Sequence, residues 1–114
     1  MQTIETDVIV IGAGPAGLCL ARALDGSRLR VAVLERGDEE TLRAPQSDGR
    51  EIALTQRSVR LLRELGMWQR LVPDECHPLC GARIFDTDVR GPLRVGGGDE
   101  ALGGLVPDHA LPAA

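Results

Sequence analysis

Three glycines at the spacing Gly12-x-Gly14-x-x-Gly17 are the residues with the clearest chemical meaning in this sequence. In such a loop the first glycine permits a tight turn, and the second lets a pyrophosphate approach the backbone. The third lets a helix pack closely on a strand. Pro15 and Ala16 complete the loop, and free N–H groups at the start of the helix would face the phosphate charge. The spacing predicts a site for an ADP-containing cofactor.

An acidic residue, Glu35, follows the second apolar run of the sequence. At that position a carboxylate can accept hydrogen bonds from both ribose hydroxyls of an adenosine, and it repels a 2′-phosphate. Glu35 therefore disfavours NADP at this site. A glycine turn that binds nothing is the alternative, and the elements around the loop argue against it.

The elements that must position these residues form a strand–helix–strand unit. Val8–Ile11 and Val31–Leu34 are apolar runs rich in β-branched residues, which is typical of parallel strands buried on both faces. Between them, apolar residues at helical spacing predict a helix from about Pro15 to Leu24, where Pro15 suits the first turn. The sequence thus predicts an α/β fold class with a Rossmann-like βαβ unit over residues 1–36.

Residues 37–72 are predicted to hold a loop and a second helix. The polar stretch 37–49, which includes Glu39-Glu40, is rich in loop formers. A short extended piece at 52–54 leads to Thr55, which can cap a helix that ends before Gly66. Trp68 is predicted to turn inward after this helix.

Residues 73–114 are predicted to contain short strands. Ala82–Phe85 and Leu93–Val95 form two of them, and Leu105 begins a third that leads into a helix. Gly103-Gly104 is predicted to loosen the approach to that strand. Because the sequence stops as an element begins, we expect one domain, 1–114, that is the N-terminal portion of a longer one.

Composition excludes several function classes. The 114 residues include 13 Lys+Arg and 17 Asp+Glu, a net charge of −4, which argues against a nucleic-acid footprint. One Trp, one Phe and no Tyr leave little for base stacking. The acidic start and the lack of an apolar run of ~20 residues predict neither a signal peptide nor a membrane span. Three cysteines, an odd number, suit a cytoplasmic protein.

The remaining candidate groups are predicted to be structural. Cys76-His-Pro-Leu-Cys80 with Cys19 suggests a metal site, but structural zinc needs four ligands and no second pair is present. We therefore predict no metal, and Cys19 is expected to be a small apolar residue of the first helix. His109 is expected to be a surface residue, and the catalytic residues stay unassigned. A solvated helix face is predicted for the arginines that repeat every third residue: Arg57, Arg60 and Arg63.

Two blocks of the sequence resemble flavoproteins. Asp7 to Gly17, with Glu35-Arg36, resembles the N-terminus of FAD-dependent oxidoreductases. Asp48 to Trp68 is similar to the flavin hydroxylases of ubiquinone biosynthesis, within the group A aromatic hydroxylases. There a D-x-R-x-x-A-L segment leads into a helix that ends in L-G-x-W. The matching residues are Asp48, Arg50, Ala53, Leu54, Leu65, Gly66 and Trp68.

This resemblance implies FAD with its ADP end on the glycine loop, its ribose at Glu35 and Arg36 beside the adenine. Arg50 corresponds to the arginine that reaches the flavin's phosphate or ring side, and a solvated loop arginine is the alternative. NAD(P)H would reduce FAD, and O₂ would form a C4a-hydroperoxyflavin that hydroxylates an aromatic substrate. Residues 73–114 would begin the sheet of the substrate domain.

The sequence departs from the family near its end. Asp108 and Pro112 stand where Asn and Arg are usual, and the later G-D motif is missing. The chain is therefore expected not to hydroxylate by itself. Two alternatives stay open: a non-catalytic fragment that binds FAD or ADP, and another FAD- or NAD-linked dehydrogenase. A polyprenyl substrate would suit peripheral association with the inner membrane or a biosynthetic complex, although nothing in the chain encodes it.

Overall fold

The elements follow one another in a mixed α/β order. The computed structural model describes residues 1, 3–88 and 90–113. In chain order the strands and helices are β1 (Val8–Ile11), α1 (Pro15–Leu24), β2 (Val31–Leu34), α2 (Glu39–Arg43), β3 (Glu51–Thr55), α3 (Gln56–Glu64), β4 (His77–Leu79), β5 (Gly81–Ile84), β6 (Leu93–Gly96), β7 (Gly103–Pro107) and α4 (Ala110–Ala113). Short 3₁₀ turns lie at Trp68–Arg70 and Pro73–Glu75. The α/β fold class is confirmed.

The N-terminal unit has the predicted strand–helix–strand order. β1 pairs with β2 in parallel, with Val8 opposite Val31 and Ile11 opposite Leu34. α1 packs against both strands. Gly26, at φ 75°, lies in the turn that follows α1. The bounds of all three elements agree with those predicted from the sequence.

The burial of these two strands differs from the prediction. Val10 is buried, whereas Ile9 is 57% and Ile11 86% exposed. Side chains alternate between the faces of a strand, so Ile9, Ile11 and Leu34 share the face that points away from Val10. The expectation of strands buried on both faces is wrong for the described residues, because α1 covers one face and leaves this apolar face accessible.

A second, antiparallel sheet has the strand order β3-β7-β4. Its central strand, β7, is the last of the described strands, with Ile52 opposite Val106 and His77 opposite Leu105. α3 packs on this sheet. The core cluster lies between them and comprises Leu62, Met67, Leu71, Val106 and Leu111. Trp68 packs against this cluster, as the sequence predicts.

Helix α3 begins and ends as predicted. The Thr55 hydroxyl accepts a hydrogen bond from the Ser58 N–H at 3.3 Å, which caps the N-terminus. Gly66, at φ 74°, follows the C-terminus in the left-handed region. The three arginines of the predicted solvated face are exposed, and the Arg63 guanidinium lies 5.3 Å from the centroid of the Trp68 ring.

Two local predictions are wrong. Residues 37–49 are not all loop, because Asp38 caps the short helix α2 through the Thr41 N–H at 2.7 Å. Glu39 lies in its first turn and pairs with Arg43 at 2.5 Å. Gly103 does not loosen the chain either. It lies within β7, where an added Cβ would overlap the Leu54 carbonyl oxygen.

The remaining strands, β5 and β6, form an antiparallel hairpin with Ala82 opposite Val95. This agrees with the predicted pair of strands, except that Phe85 lies beyond β5 and is 74% exposed. Among the helices of the described residues, none has the length and apolarity needed to cross a bilayer.

Candidate functional site

The glycine loop joins β1 to the start of α1. Gly12 has φ 97°, a conformation that favours glycine, and its N–H donates to the Leu34 carbonyl at 2.7 Å. Gly14 is the N-cap of α1, and Pro15 is the first residue of the helix. An added Cβ would meet no atom within 4 Å at either Gly12 or Gly14. The loop thus presents open backbone at the start of a ten-residue helix.

The third glycine holds the helix against the strand. A Cβ at Gly17 would overlap the Gly12 carbonyl oxygen and would lie 3.2 Å from Val10 Cγ1. Only hydrogen fits here without a shift of backbone. This is the close helix–strand contact that the spacing predicts, and it fixes the direction in which the first turn of α1 points.

Glu35 lies against the same loop. Its Oε2 accepts a hydrogen bond from the Ala13 N–H at 2.7 Å, and its Oε1 accepts one from the Gly37 N–H at 2.9 Å. These bonds, the Gly37 bond first, lower the pKa of the Glu35 carboxyl, and the charge of Arg36 adds to the effect. Glu35 is therefore an anchored carboxylate beside the glycine loop, at the end of β2.

This anchoring predicts how stability depends on pH. The pKa of Glu35 is lower in the folded chain than the ordinary value of 4.5. The stability that the ionised carboxylate contributes is therefore complete at pH values above 4.5. It is lost as the pH falls through the folded pKa. We expect the difference in free energy of unfolding between wild type and Glu35→Gln to be constant near neutral pH and to shrink in acid. Chemical denaturation at a series of pH values measures it.

The matched control for that series is Glu100→Gln, which removes the same charge from an exposed bend. Asp7, Asp38 and Asp48 also have lowered pKa values, so every variant loses stability in acid. Only the difference in free energy of unfolding between wild type and Glu35→Gln isolates the contribution of Glu35. A difference that does not change with pH would contradict the anchored carboxylate.

Arg50, with the two aspartates that pair with it, forms the second part of the candidate site. Its Nε lies 2.5 Å from Asp48 Oδ2, and one terminal nitrogen lies 2.9 Å from Asp108 Oδ2. The Asp108 N–H donates to the Arg50 carbonyl at 2.9 Å. The side chain of Arg50 is 73% exposed. The pairing with Asp108 could not be predicted from spacing, because the two residues flank strands that are far apart in sequence.

An apolar groove of about 520 Å³ lies along α1, beginning at its first turn. Pro15 and Ala16, from the start of α1, line it together with Leu111 of α4. Cys19 also lines it, with its Sγ 3.8 Å from Met67 Sδ, and burial raises the pKa of this thiol. Cys19 is therefore a small apolar packing residue, as the sequence predicts. α4, which follows Asp108 in the chain, thus packs against the helix that begins at the glycine loop.

The other candidate groups lie apart from this site. His109 is half-buried, and its Nδ1 is buried with no hydrogen-bond partner among the described residues. The expectation of a surface histidine is therefore wrong, since the buried residues Val106 and Leu111 on either side draw this turn inward. Cys76 is half-buried and Cys80 exposed. The described part of the chain contains no group of three side chains that could hold a metal ion.

The chain matches a family described as FAD binding domain over residues 5–98. This range includes the glycine loop, Glu35, Arg36 and Arg50.

Three curated relatives are ubiquinone-pathway proteins. The chain is 43% identical to the ubiquinone hydroxylase UbiM of Neisseria meningitidis over 96% of its length, which is 25% of that protein. It is 36% identical over 70% of its length to the ubiquinone hydroxylase UbiL of Rhodospirillum rubrum. It is 34% identical over 68% of its length to the 3-demethoxyubiquinol 3-hydroxylase of Escherichia coli. The chain thus spans a quarter or less of these relatives.

Solved structures share the fold. A crystal structure of the flavin-dependent monooxygenase PieE in complex with FAD and substrate superposes with a TM-score of 0.59 at 23% identity. It covers 98% of this chain, which corresponds to 21% of the larger protein. A geranylgeranyl bacteriochlorophyll reductase-like protein from Thermoplasma acidophilum superposes with a TM-score of 0.55 at 21% identity.

Proposed function

Because the chain belongs to the FAD-binding domain family, we propose that it binds the ADP half of FAD at the loop between β1 and α1. One observation carries this proposal. Gly12 and Gly14 leave open space beside the first turn of α1, while Glu35 holds a carboxylate at the same loop. The open space at the helix start suits a pyrophosphate, and the carboxylate suits the hydroxyl groups of a ribose.

Each site residue then has a distinct role. Gly12, Gly14, Pro15 and Ala16 would surround the pyrophosphate, while Gly17 keeps the helix close to the strand. The ribose hydroxyls would donate hydrogen bonds to Glu35. Arg36, exposed directly after β2, would lie beside the adenine, and Arg50 would meet the flavin phosphates.

For the reaction we propose hydroxylation of an aromatic ring of a ubiquinone precursor. The sequence similarity to three hydroxylases of that pathway supports this substrate class. FAD supplies the redox chemistry when it is bound. NAD(P)H would be the reductant, and O₂ would provide one oxygen atom to the ring and one to water. We assign no catalytic residue within this chain, and a polyprenyl substrate would bring the enzyme to the surface of the inner membrane.

A second candidate is an FAD- or ADP-binding unit that performs no catalysis by itself. The accessible apolar face of β1 and β2 favours it, because Ile9, Ile11 and Leu34 would be covered in a complete doubly wound fold. In this case residues 1–36, 37–72 and 73–114 would form the first portion of an FAD-binding domain and the start of its substrate sheet.

The test is a titration of the 114-residue chain with FAD, followed by quenching of flavin fluorescence. We expect saturable binding that ADP competes for and that FMN, which lacks the AMP half, does not reproduce. Gly14→Val should weaken binding by at least about tenfold, since its side chain fills the space proposed for the pyrophosphate. Binding that FMN matches, or that Gly14→Val leaves unchanged, would place the flavin elsewhere.

A further inference from the structure

Two carboxylates pair with Arg50 at the start of β3. Asp48 contacts Nε at 2.5 Å, and Asp108 contacts a terminal nitrogen at 2.9 Å. The guanidinium carries one positive charge and the two carboxylates carry two negative charges. The group is therefore negative overall, although a lone arginine at this position would be positive.

Asp108 is the more sheltered of the two carboxylates. Its side chain is 24% exposed, compared with 47% for Asp48. Asp48 makes the shorter contact with Arg50, but solvent and salt screen the charge of the more sheltered Asp108 less. Asp48 also has a separate local contact, because its Oδ1 accepts a hydrogen bond from the Arg50 N–H at 3.0 Å.

The backbone holds Asp108 in place. Its N–H donates to the Arg50 carbonyl at 2.9 Å, directly beyond the β3–β7 pairing of Glu51 with Pro107. Three residues later, Leu111 is 2% exposed and lines the groove shared with Pro15 and Ala16. The carboxylate is thus fixed beside Arg50, and the helix that follows it, α4, packs against α1.

We infer that Asp108 sets the affinity of the FAD site by neutralising Arg50, so that the flavin phosphates bind more weakly than they would beside a free guanidinium. This inference rests on the proposed function. The pyrophosphate of FAD is negatively charged, and a guanidinium already paired with a carboxylate attracts it less strongly than a free one. Asp108 is a positioning residue, because it acts on the ligand through Arg50.

The experiment compares FAD affinity in wild type and Asp108→Asn. Asparagine keeps an oxygen that can accept from Arg50 and removes only the charge. We expect Asp108→Asn to bind FAD about three to ten times more tightly at low salt. The advantage should shrink as salt is raised, because screening weakens the attraction between the phosphates and the Arg50 charge that the variant makes available. Asp108→Ser is a second neutral variant, and thermal unfolding verifies that each variant is folded.

Two controls separate an effect exerted through Arg50 from a general change in the charge of the protein. Asp25→Asn removes the same charge from a comparable pair, Asp25 with Arg22 at 2.6 Å, at the C-terminal end of α1. It should leave FAD affinity unchanged. In an Arg50→Gln background, Asp108→Asn should give no gain, because the two residues then no longer act on each other.

Three results are possible. A gain in FAD affinity in Asp108→Asn that disappears in the Arg50→Gln background supports the inference. Detectable FAD binding by Asp108→Asn but not by wild type supports it as well. If wild type binds FAD and the neutral variants bind it equally or less tightly, or if the gain persists in the Arg50→Gln background, the inference is overturned and the proposed function stands. If neither wild type nor the variants bind FAD, both are overturned.

Discussion

Gly17→Val is expected to lower the free energy of unfolding by about 3 kcal/mol or more and to abolish FAD binding. A Cβ at this position overlaps the Gly12 carbonyl oxygen and approaches Val10 Cγ1 to 3.2 Å. The obstacle is backbone on one side and a buried side chain on the other, so neither can move aside easily. The first turn of α1 must shift away from β1, and the loop that precedes it is displaced with it. Urea unfolding followed by circular dichroism measures the loss.

The matched control is Gly14→Val, the same change three residues earlier. Gly14 has φ −72° and ψ 176°, an extended conformation that valine adopts, and no atom lies within 4 Å of an added Cβ. We expect its stability to stay within about 1 kcal/mol of wild type, although FAD binding weakens. If the two variants were equally stable, the close contact between α1 and β1 would not exist as described.

Glu35→Ala should reduce the affinity for FAD and for ADP by about tenfold to a hundredfold, which is typical for the loss of hydrogen bonds to a charged group. The carboxylate is already fixed by the Ala13 and Gly37 N–H groups, at 2.7 and 2.9 Å. Ribose hydroxyls therefore meet an acceptor that needs no further ordering. Competition of ADP against FAD, followed by flavin fluorescence, gives both affinities.

The same variant tests the charge of Glu35 as well as its hydrogen bonds. A 2′-phosphate would be repelled by the carboxylate, so wild type should prefer ADP to adenosine 2′,5′-bisphosphate. Glu35→Ala should narrow that preference, whereas Glu100→Gln should preserve it. An unchanged preference in Glu35→Ala would show that the ribose lies away from β2, and the proposed binding mode would then be wrong.

The N-terminal unit could be predicted from sequence because its signals are local. The apolar runs, the loop glycines and Pro15 all lie within the segment that they organise. Glu35 reaches the loop because parallel strands bring their carboxyl ends to the same edge of a sheet. The family resemblance extended this prediction to FAD, and the match over residues 5–98 confirms the family.

What could not be predicted depends on contacts between distant segments. The sequence around Gly103 predicts a loosened chain, yet this glycine permits the close approach of β7 to Leu54, about half the chain away. The pairing of Asp108 with Arg50 follows from the same strand pairing. α2 escapes prediction for another reason: it has a cap and an ion pair but no buried residue, so it lacks the apolar periodicity that marks longer helices.

The order β3-β7-β4 has a consequence for synthesis on the ribosome. β1, α1 and β2 can associate once residues 1–34 have emerged, because the contacts that join these three elements to one another are local. β3 and β4, by contrast, have no pairing partner among the described strands of this sheet until β7 is made. Closing such long loops is slow. The glycine loop is therefore expected to acquire its shape early in translation, while the pairing of Arg50 with Asp108 forms only after β7 has been made.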